Sequence, residues 1–194
     1  MSSLTLDDIS DLRAYERERP EFRARVIALK KRRRVPVGPL LTLVFENRDT
    51  IRYQVQEMAR AERMLSDEAV QTELDTYNPL IPEPLHLSAT MFIELTSKEE
   101  LEEWLPRLVG VETRVELRFG DDVVPCRVDP DHERQLTRET VTASVHYVSF
   151  AFSLEQAQRF GSQAVELVTT HPEYSYATVV SGETVAELVK DLRG

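Results

Sequence analysis

The sequence predicts an α+β fold, in which a largely antiparallel mixed sheet packs with N-terminal helices and a C-terminal helix. Residues 1–85 are dominated by apolar residues at helical spacing. Residues 86–194 instead alternate between strand-type and helix-type segments, with turn signals between them. Helices first and mixed elements afterwards are typical of α+β proteins. We therefore expect a single domain over residues 1–194, with a helical part (1–85) and a sheet-rich part (86–194).

Caps and one proline define the first helices. Thr5 can cap a short helix at the N-terminus. Pro20 is predicted to open a second helix, because its fixed φ and missing N–H suit the first turn. Phe22, Val26 and Leu29 follow at helical spacing, so this helix should turn them towards the core.

The strand-to-helix junction at residues 40–65 is the stretch around which we expect the chain to be organised. Residues 40–45 are continuously apolar, which indicates a strand buried on both faces. Asn47 or Asp49 then caps a helix that is expected to run to about Leu65. The polar residues set against the apolar residues of this junction are Glu46, Asn47, Arg48, Asp49 and Gln54.

Two glutamates of this helix are candidate functional groups. Glu62 falls in the middle of the apolar arc, and Glu57 lies a little beyond its edge. A carboxylate on a buried face needs a partner, a metal or a raised pKa. The alternatives are that the helix has ended by Glu62, or that an arginine such as Arg25 pairs with it.

The remaining elements are read from caps, turns and alternation. Ser66 caps a third helix, which the prolines of residues 78–84 end. Residues 87–95 alternate strictly between apolar and polar and predict a strand. Ser97 begins a capping box and an amphipathic helix.

The second half should contain a hairpin and the sheet's strongest strand. Gly120, Asp121 and Asp122 form the turn between two strands. The charged residues 129–140 are predicted to form a loop, and residues 143–152 a strand that is apolar on both faces. The last predicted elements are a helix after Ser153, strands at 164–170 and 176–180, and a helix after Ser181.

Composition bounds the class of protein. A hydrophobic share of 41% and a charged share of 30% are typical of a globular chain. No apolar run approaches the roughly 20 residues of a membrane span, and residues 1–8 lack the blocks of a secretory signal. Cys126 is the only cysteine, which excludes an intrachain disulfide. Since a reactive thiol needs an electropositive setting and only Arg127 is adjacent, a packing role is favoured. We expect a cytoplasmic protein without membrane partners.

The charge distribution is uneven. Residues 17–34 carry nine basic and two acidic side chains, a charge of +7, which leaves −17 for the remainder of a chain whose net charge is −10. Such a segment can bind phosphates, nucleic acid or an acidic protein surface. Readers of single-stranded nucleic acid usually interleave aromatic residues, and residues 30–34 contain none, so nucleic acid is the least favoured of these ligands. The predicted anion or partner-binding residues are Arg23, Arg25, Lys30, Lys31, Arg32, Arg33 and Arg34.

Two histidines suggest an alternative metal site. Neutral imidazole is the commonest transition-metal ligand. His146 lies in a predicted strand and His171 in a predicted turn. Together with Glu57 or Glu62 they could bind iron, zinc or manganese. The competing interpretations are a core histidine bonded to the backbone for His146 and an ordinary turn residue for His171.

Several segments resemble one bacterial family of about this length, which is known as a domain of unknown function. Residues 45–50 (FENRDT) and 77–82 (YNPLIP) are the most specific of them. The others are residues 19–23, 26–30, 56–58, 145–147 and 171–174. The resemblance covers nearly the whole chain. It implies no particular reaction, and it implies that the gene lies near genes for rubrerythrin-like and iron–sulfur redox proteins.

Three hypotheses of function follow. The first is a homodimeric binding or accessory protein that works beside a redox, iron or oxidative-stress system and docks an anionic partner or ligand by its basic helix end. The second is a metal-dependent enzyme that uses His146 and His171 with Glu57 or Glu62. The third is an RNA- or ribosome-binding protein.

Overall fold

The computed structural model describes residues 3–128 and 140–193, so most of the predicted loop at 129–140 lies outside the described residues. The chain is α+β with an antiparallel sheet, as the sequence predicts. No helix in these ranges is long and apolar enough to cross a membrane. The α-helices are α1 (Leu12–Arg32), α2 (Arg48–Ala61), α3 (Asp67–Tyr77), α4 (Lys98–Arg107), α5 (Leu154–Arg159) and α6 (Gly182–Arg193). The strands are β1 (Arg34–Val37), β2 (Leu41–Phe45), β3 (His86–Ile93), β4 (Val115–Phe119), β5 (Asp122–Val128), β6 (Val145–Ala151), β7 (Val165–His171) and β8 (Tyr174–Val179).

The sheet joins both predicted parts of the chain. Its strand order is β1-β2-β3-β6-β5-β4-β7-β8, and every neighbouring pair is antiparallel. Strands β1 and β2 come from the helical part, and β2 pairs with β3 from the sheet-rich part. The buried run Leu41–Phe45 is β2, and the alternating run is β3, so both predictions are confirmed.

A tyrosine holds the two ends of the sheet together. The hydroxyl of Tyr174, at the start of β8, accepts hydrogen bonds from the backbone N–H groups of Leu40 (2.8 Å) and Leu41 (3.1 Å). It donates to the carbonyl of Val37 in β1, at 2.8 Å. The turn between β1 and β2 contains Gly38 at φ +69°, where a Cβ would lie 2.5 Å from this hydroxyl. The sheet therefore curls until its last strand meets its first.

The curled sheet encloses the main core, and the N-terminal helices build two smaller ones. The main core includes Phe45 and Phe150, whose ring centroids are 6.0 Å apart. Helices α2 and α3 and the residues before α1 form a second cluster, which includes Ile51 and Leu74. Tyr15, Phe22 and Val26 of α1 form the third, against Tyr53 of α2. The three N-terminal elements are thus fixed by burial of apolar surface.

The prediction that Pro20 opens a second helix is wrong. Residues 12–32 form one helix, and Pro20 lies inside it. A proline in a helix interior removes one backbone hydrogen bond. Tyr15 and Phe22, on either side of it, pack edge to face in the same cluster, with ring centroids 6.5 Å apart. Burial of both rings keeps the helix continuous across the proline.

Helix α2 also ends earlier than predicted, and this moves Glu62 to the surface. The helix stops at Ala61, with Glu62 as its exposed C-cap. Arg63 adopts φ 54°, the N–H of Met64 donates to the carbonyl of Ala59 at 2.9 Å, and the N–H of Arg63 donates to that of Arg60 at 3.3 Å. This is a Schellman ending, built without the glycine that usually marks one. Glu62 does not lie on a buried face.

Candidate functional site

The junction between β2 and α2 is a buried polar centre. Asn47 caps α2 by accepting from the N–H of Thr50 at 3.0 Å, which confirms one of the two predicted caps. The carboxylate of Glu46, 6% exposed, accepts hydrogen bonds from the hydroxyls of Thr50 and Thr90. Buried carboxylates need such donors because water cannot reach them. Glu46 therefore anchors α2 to β3.

Arg33 enters the same region from the end of α1, and its side chain is fully buried. Its Nε donates to the carbonyl of Phe45 at 2.8 Å, and its Nη2 donates to the carbonyl of Glu46 at 3.0 Å. Its guanidinium also forms an ion pair with Asp191 of α6. Burial raises the pKa of Asp191, and the positive charge of Arg33 acts in the opposite direction. Arg33 therefore holds three elements together and offers no surface to a partner.

The other predicted junction residues lie at the edge of this centre. Arg48 forms an ion pair with Asp8 at 2.7 Å, which ties the start of α2 to the N-terminal segment. Asp49 is exposed in the first turn of α2, where a negative charge suits the helix dipole. Gln54 is half-buried on the same helix. Of the five predicted residues, Glu46 and Asn47 form the junction and the other three surround it.

Glu57 of α2 contacts Arg19 and Tyr15 of α1, and we call this set of contacts the Glu57 clasp. The two carboxylate oxygens of Glu57 accept from Nε and Nη2 of Arg19, each at 2.8 Å. The hydroxyl of Tyr15 donates to the same carboxylate at 2.7 Å. The hydrogen bonds from Arg19 lower the pKa of Glu57, and the hydroxyl of Tyr15 adds to that effect. Burial, with the negative charge of Glu57, raises the pKa of Tyr15. The sequence placed Glu57 a little beyond the edge of the apolar arc but did not show its partners, which lie about 40 residues earlier.

The two histidines lie in separate places and bond to the backbone. His146 is buried on β6, with Nε2 2.9 Å from the carbonyl of Ala143 and 2.9 Å from the hydroxyl of Thr142. A carbonyl only accepts, so Nε2 carries the proton. His171 donates from Nε2 to the carbonyl of Val109 at 3.1 Å, and its Nδ1 accepts from the N–H of Glu173 at 3.2 Å. Both arrangements match the non-metal interpretations of these residues.

The proposed metal ligands do not converge in the described ranges. No group of three or more His, Cys, Asp or Glu residues that could hold a metal ion occurs among residues 3–128 and 140–193. Glu57 is engaged by Arg19, and Glu62 is an exposed helix cap. Iron, zinc or manganese binding by this set stays a prediction from the sequence.

The basic segment divides into an inward and an outward part. Arg33 is buried, Arg34 pairs with Glu94, and Arg32 lies 3.7–3.8 Å from Glu183 and Glu187. In the described part of the chain, no carboxylate lies within 4 Å of the other predicted cations, which are Arg23, Arg25, Lys30 and Lys31. These four cations therefore lie in the body of α1, at Arg23 and Arg25, as well as in its last turn, at Lys30 and Lys31.

Two of the three carboxylates of α1 are bound by arginines of α2, and the third, Glu21, is exposed. Arg60 pairs with Glu16, and Arg52 pairs with Glu18 at 3.0 Å. Arg52 also stacks its guanidinium over the ring of Phe22, 4.7 Å from the centroid. Because α2 neutralises these two acids, the face that α1 turns to solvent keeps most of its positive charge.

The outward face of α1 combines cations with small apolar residues. At 100° per residue, one arc opposite the buried Phe22 and Val26 holds exposed side chains along the whole helix. Ile27 on this arc is 48% exposed. We define the α1 outer face as Arg13, Arg17, Ala24, Ile27, Ala28 and Lys31, with Arg23 at its flank. From Arg13 to Lys31 it extends about 27 Å.

Comparison with known proteins places nearly the whole chain in one family. A family model described as "Protein of unknown function (DUF3501)" matches residues 3–192. A crystal structure described as a novel protein of unknown function from Burkholderia pseudomallei K96243 is similar, with a TM-score of 0.90 and 37% sequence identity. The match covers 98% of this chain and 100% of that chain. No curated protein matches the sequence.

Proposed function

The chain belongs to the DUF3501 family of proteins of unknown function, and we propose that it is a binding or accessory protein that docks an acidic partner protein through the α1 outer face. The observation that carries the proposal is the one-sided ion pairing of α1. Two of its three acids, Glu16 and Glu18, are tied to α2, and Glu21 is the one acid of α1 left exposed without such a pair. The cations Arg13, Arg17, Arg23 and Lys31 have no carboxylate within 4 Å among the described residues.

The shape of this surface supports a protein partner. Ala24, Ile27 and Ala28 form an apolar centre, and cations stand on both sides of it along the helix axis. Protein interfaces commonly have a water-excluding centre with a polar rim. The rim charges would speed association and select an oppositely charged surface. The helix itself is rigid, because Tyr15, Phe22 and Val26 fix its other face.

Nucleic acid is a poorer match to the same surface. The aromatic rings of this region, Tyr15, Phe22 and Tyr53, pack against one another inside the α1–α2 contact. The outer face therefore presents no ring on which a base could stack. We favour an acidic redox or iron–sulfur protein as the partner, since the family resemblance associates the chain with that class. A second copy of this chain, which is acidic outside residues 17–34, is the other candidate.

Binding of a defined acidic probe tests the proposal. A fluorescein-labelled poly-L-glutamate peptide is titrated with the protein and followed by anisotropy, beside a labelled oligouridylate of similar charge. We expect the peptide to bind in spite of the protein's net charge of −10, and to bind about tenfold more weakly when salt rises from about 50 to about 200 mM. Absence of peptide binding, or tighter binding of the oligouridylate, would contradict the proposal.

Two variants of equal charge locate the contact. Replacing Arg13, Arg17, Arg23 and Lys31 by Gln lowers the net charge from −10 to −14 and should weaken peptide binding about tenfold. Replacing four exposed cations elsewhere makes the same charge change and should alter binding less than about twofold. The control positions are Lys98, Arg107, Arg114 and Arg118. Sedimentation velocity of both variants then shows whether a second copy occupies the surface, since a dimer through α1 would dissociate only in the first.

A further inference from the structure

A polar cleft lies between residues 78–82, which form its roof, and the outer face of the sheet. Its larger part has a volume of about 620 Å³ and its smaller part about 210 Å³. The two parts adjoin, because Pro79, Ser88 and Ser149 line both of them. No residue of α1 lines either part, so the cleft is separate from the α1 outer face.

The floor of the cleft is a row of polar side chains across three strands. Ser88 of β3 pairs in register with Ser149 of β6, and Ser149 pairs in register with Arg127 of β5. Residues opposite each other in neighbouring strands project from the same face of a sheet. Arg127 is exposed, and no carboxylate of the described residues lies within 4 Å of its guanidinium.

Hydrogen bonds within the protein fix the roof of the cleft in the absence of a ligand. The hydroxyl of Ser88 donates to the carbonyl of Leu80. The side chain of Asn78 makes two reciprocal bonds with the backbone of Leu4, at 2.8 and 2.9 Å. Two of the roof residues, Pro79 and Pro82, have fixed φ angles. A cleft whose walls are already fixed loses little entropy when it binds a ligand.

The two ends of the cleft have opposite charge. Arg127 lies at the smaller end, and the carboxylates of Asp75 and Glu83 line the larger end. His86 also lines the larger end, with Nδ1 3.1 Å from the carbonyl of Pro84. Because that carbonyl only accepts, Nδ1 donates to it, and Nε2 is the ring nitrogen left to contact a ligand. The larger end therefore accepts hydrogen bonds, and the smaller end donates them.

The strand register gives the approximate distance between the two ends of the cleft, from Arg127 to His86. From Arg127 to Ser88 the sheet spans two strand spacings, about 10 Å, and from Ser88 to His86 it spans two residues, about 7 Å. The diagonal between the Arg127 and His86 backbones is then about 12 Å. This separation suits an elongated molecule of two or three residues' length better than a single small ion.

We propose that this cleft binds an elongated zwitterionic small molecule, with its carboxylate on Arg127 and its ammonium group among Asp75, Glu83 and the Nε2 atom of His86. The serine row contacts the middle of the ligand. A guanidinium is suited to a carboxylate because it can donate two parallel hydrogen bonds. The two carboxylates suit an ammonium group, which has three donors and no acceptor.

A series of ω-amino acids measures both the charge and the length of the site. The probes are 4-aminobutanoate, 6-aminohexanoate and 8-aminooctanoate, with hexanoate and hexylamine as singly charged controls, and binding is followed by saturation-transfer NMR and calorimetry. We expect one of the two longer zwitterions to bind most tightly, about tenfold more tightly than either control. If no zwitterion binds, or if hexanoate or hexylamine binds as tightly as the best zwitterion, the assignment is overturned.

Substitutions at each end place the ligand. Arg127→Gln and Glu83→Gln should each weaken binding of the best zwitterion at least about fivefold, and Arg127→Gln should leave hexylamine unaffected. Arg114→Gln, which removes an exposed arginine that does not line the cleft, is the matched control and should change nothing. These residues are exposed, so loss of folding is not expected, and circular dichroism checks it. Zwitterion binding that survives both cleft substitutions would place the ligand elsewhere and overturn the proposal.

Discussion

The guanidinium of Arg33, one residue beyond the end of α1, is paired with the carboxylate of Asp191 in α6 inside the protein. Both side chains are almost fully buried, and 158 positions separate them in sequence. The same guanidinium donates to the carbonyls of Phe45 and Glu46. One side chain thus joins the basic helix, the strand-to-helix junction and the C-terminal helix.

Removing one partner of this pair should cost much more than removing both. Asp191→Ala removes the nearest counterion of a buried positive charge and leaves, among the described residues, only Glu187, 3.8 Å from Nη1 of Arg33. We expect a loss of about 3 kcal/mol in the free energy of unfolding. The double variant Arg33→Met with Asp191→Leu should recover most of that loss, because apolar side chains can fill the same space. Urea denaturation of the three proteins measures the difference. A double variant less stable than Asp191→Ala would contradict this account of the pair.

The Glu57 clasp should give stability that depends on pH. The folded-state pKa of Glu57 is lowered, so the clasp stabilises the protein above the pKa of the unfolded chain, about 4.3, and is lost as pH falls through the folded-state value. Glu57→Gln should be less stable than the parent by about 1–2 kcal/mol at pH 7, and the difference should shrink below about pH 4. A difference that stays constant from neutral to acid pH would argue against ionisation of Glu57 as its cause.

Tyr174→Phe tests the closure of the sheet. The substitution removes one hydroxyl and leaves the N–H groups of Leu40 and Leu41 and the carbonyl of Val37 without it. Unpaired buried backbone groups cost about 1–3 kcal/mol, and we expect a loss in that range. Tyr176→Phe, two residues along β8 and 44% exposed, is the control and should change stability by less than about 0.5 kcal/mol. Equal effects of the two substitutions would remove the special role of Tyr174.

Cys126 should resist thiol reagents while the protein is folded. It is buried, its Sγ donates to the carbonyl of Glu112 at 3.0 Å, and burial raises the pKa of its thiol to about 11. Since the thiolate is the reactive form, labelling by iodoacetamide at pH 7.5 should be at least about a hundredfold slower than in urea-unfolded protein. Comparable rates in the two states would show that Cys126 is accessible and reactive. The sequence interpretation of Cys126 as a packing residue agrees with its burial.

The features that the sequence predicted correctly are those set by neighbouring residues, such as helix caps and strands. Asn47 was found as a cap, and the strands β2 and β3 were found from a buried run and an alternating run, because caps and side-chain periods are written in neighbouring residues. Pro20 misled the helix prediction, since the packing of Tyr15 and Phe22 that keeps the helix continuous is tertiary.

Partners that are distant in sequence could not be predicted. The sequence showed that Glu57 would be near a buried face, but Arg19 and Tyr15 reach it only because α1 packs on α2. Arg33 read as one of five consecutive basic residues, and its burial depends on Asp191 at the far end of the chain. The α1 outer face could be recognised only once the structure showed that Arg19 and Arg33 point inward.

The site of contact with an acidic probe is the most direct test of the proposed docking function. Amide chemical shifts of ¹⁵N-labelled protein are followed while unlabelled poly-L-glutamate is added at low salt, for the parent and for the variant with Gln at Arg13, Arg17, Arg23 and Lys31. The account predicts that the largest shifts fall between residues 13 and 31 and disappear in the variant. Shifts that fall mainly outside α1, or that persist unchanged in the variant, would contradict it.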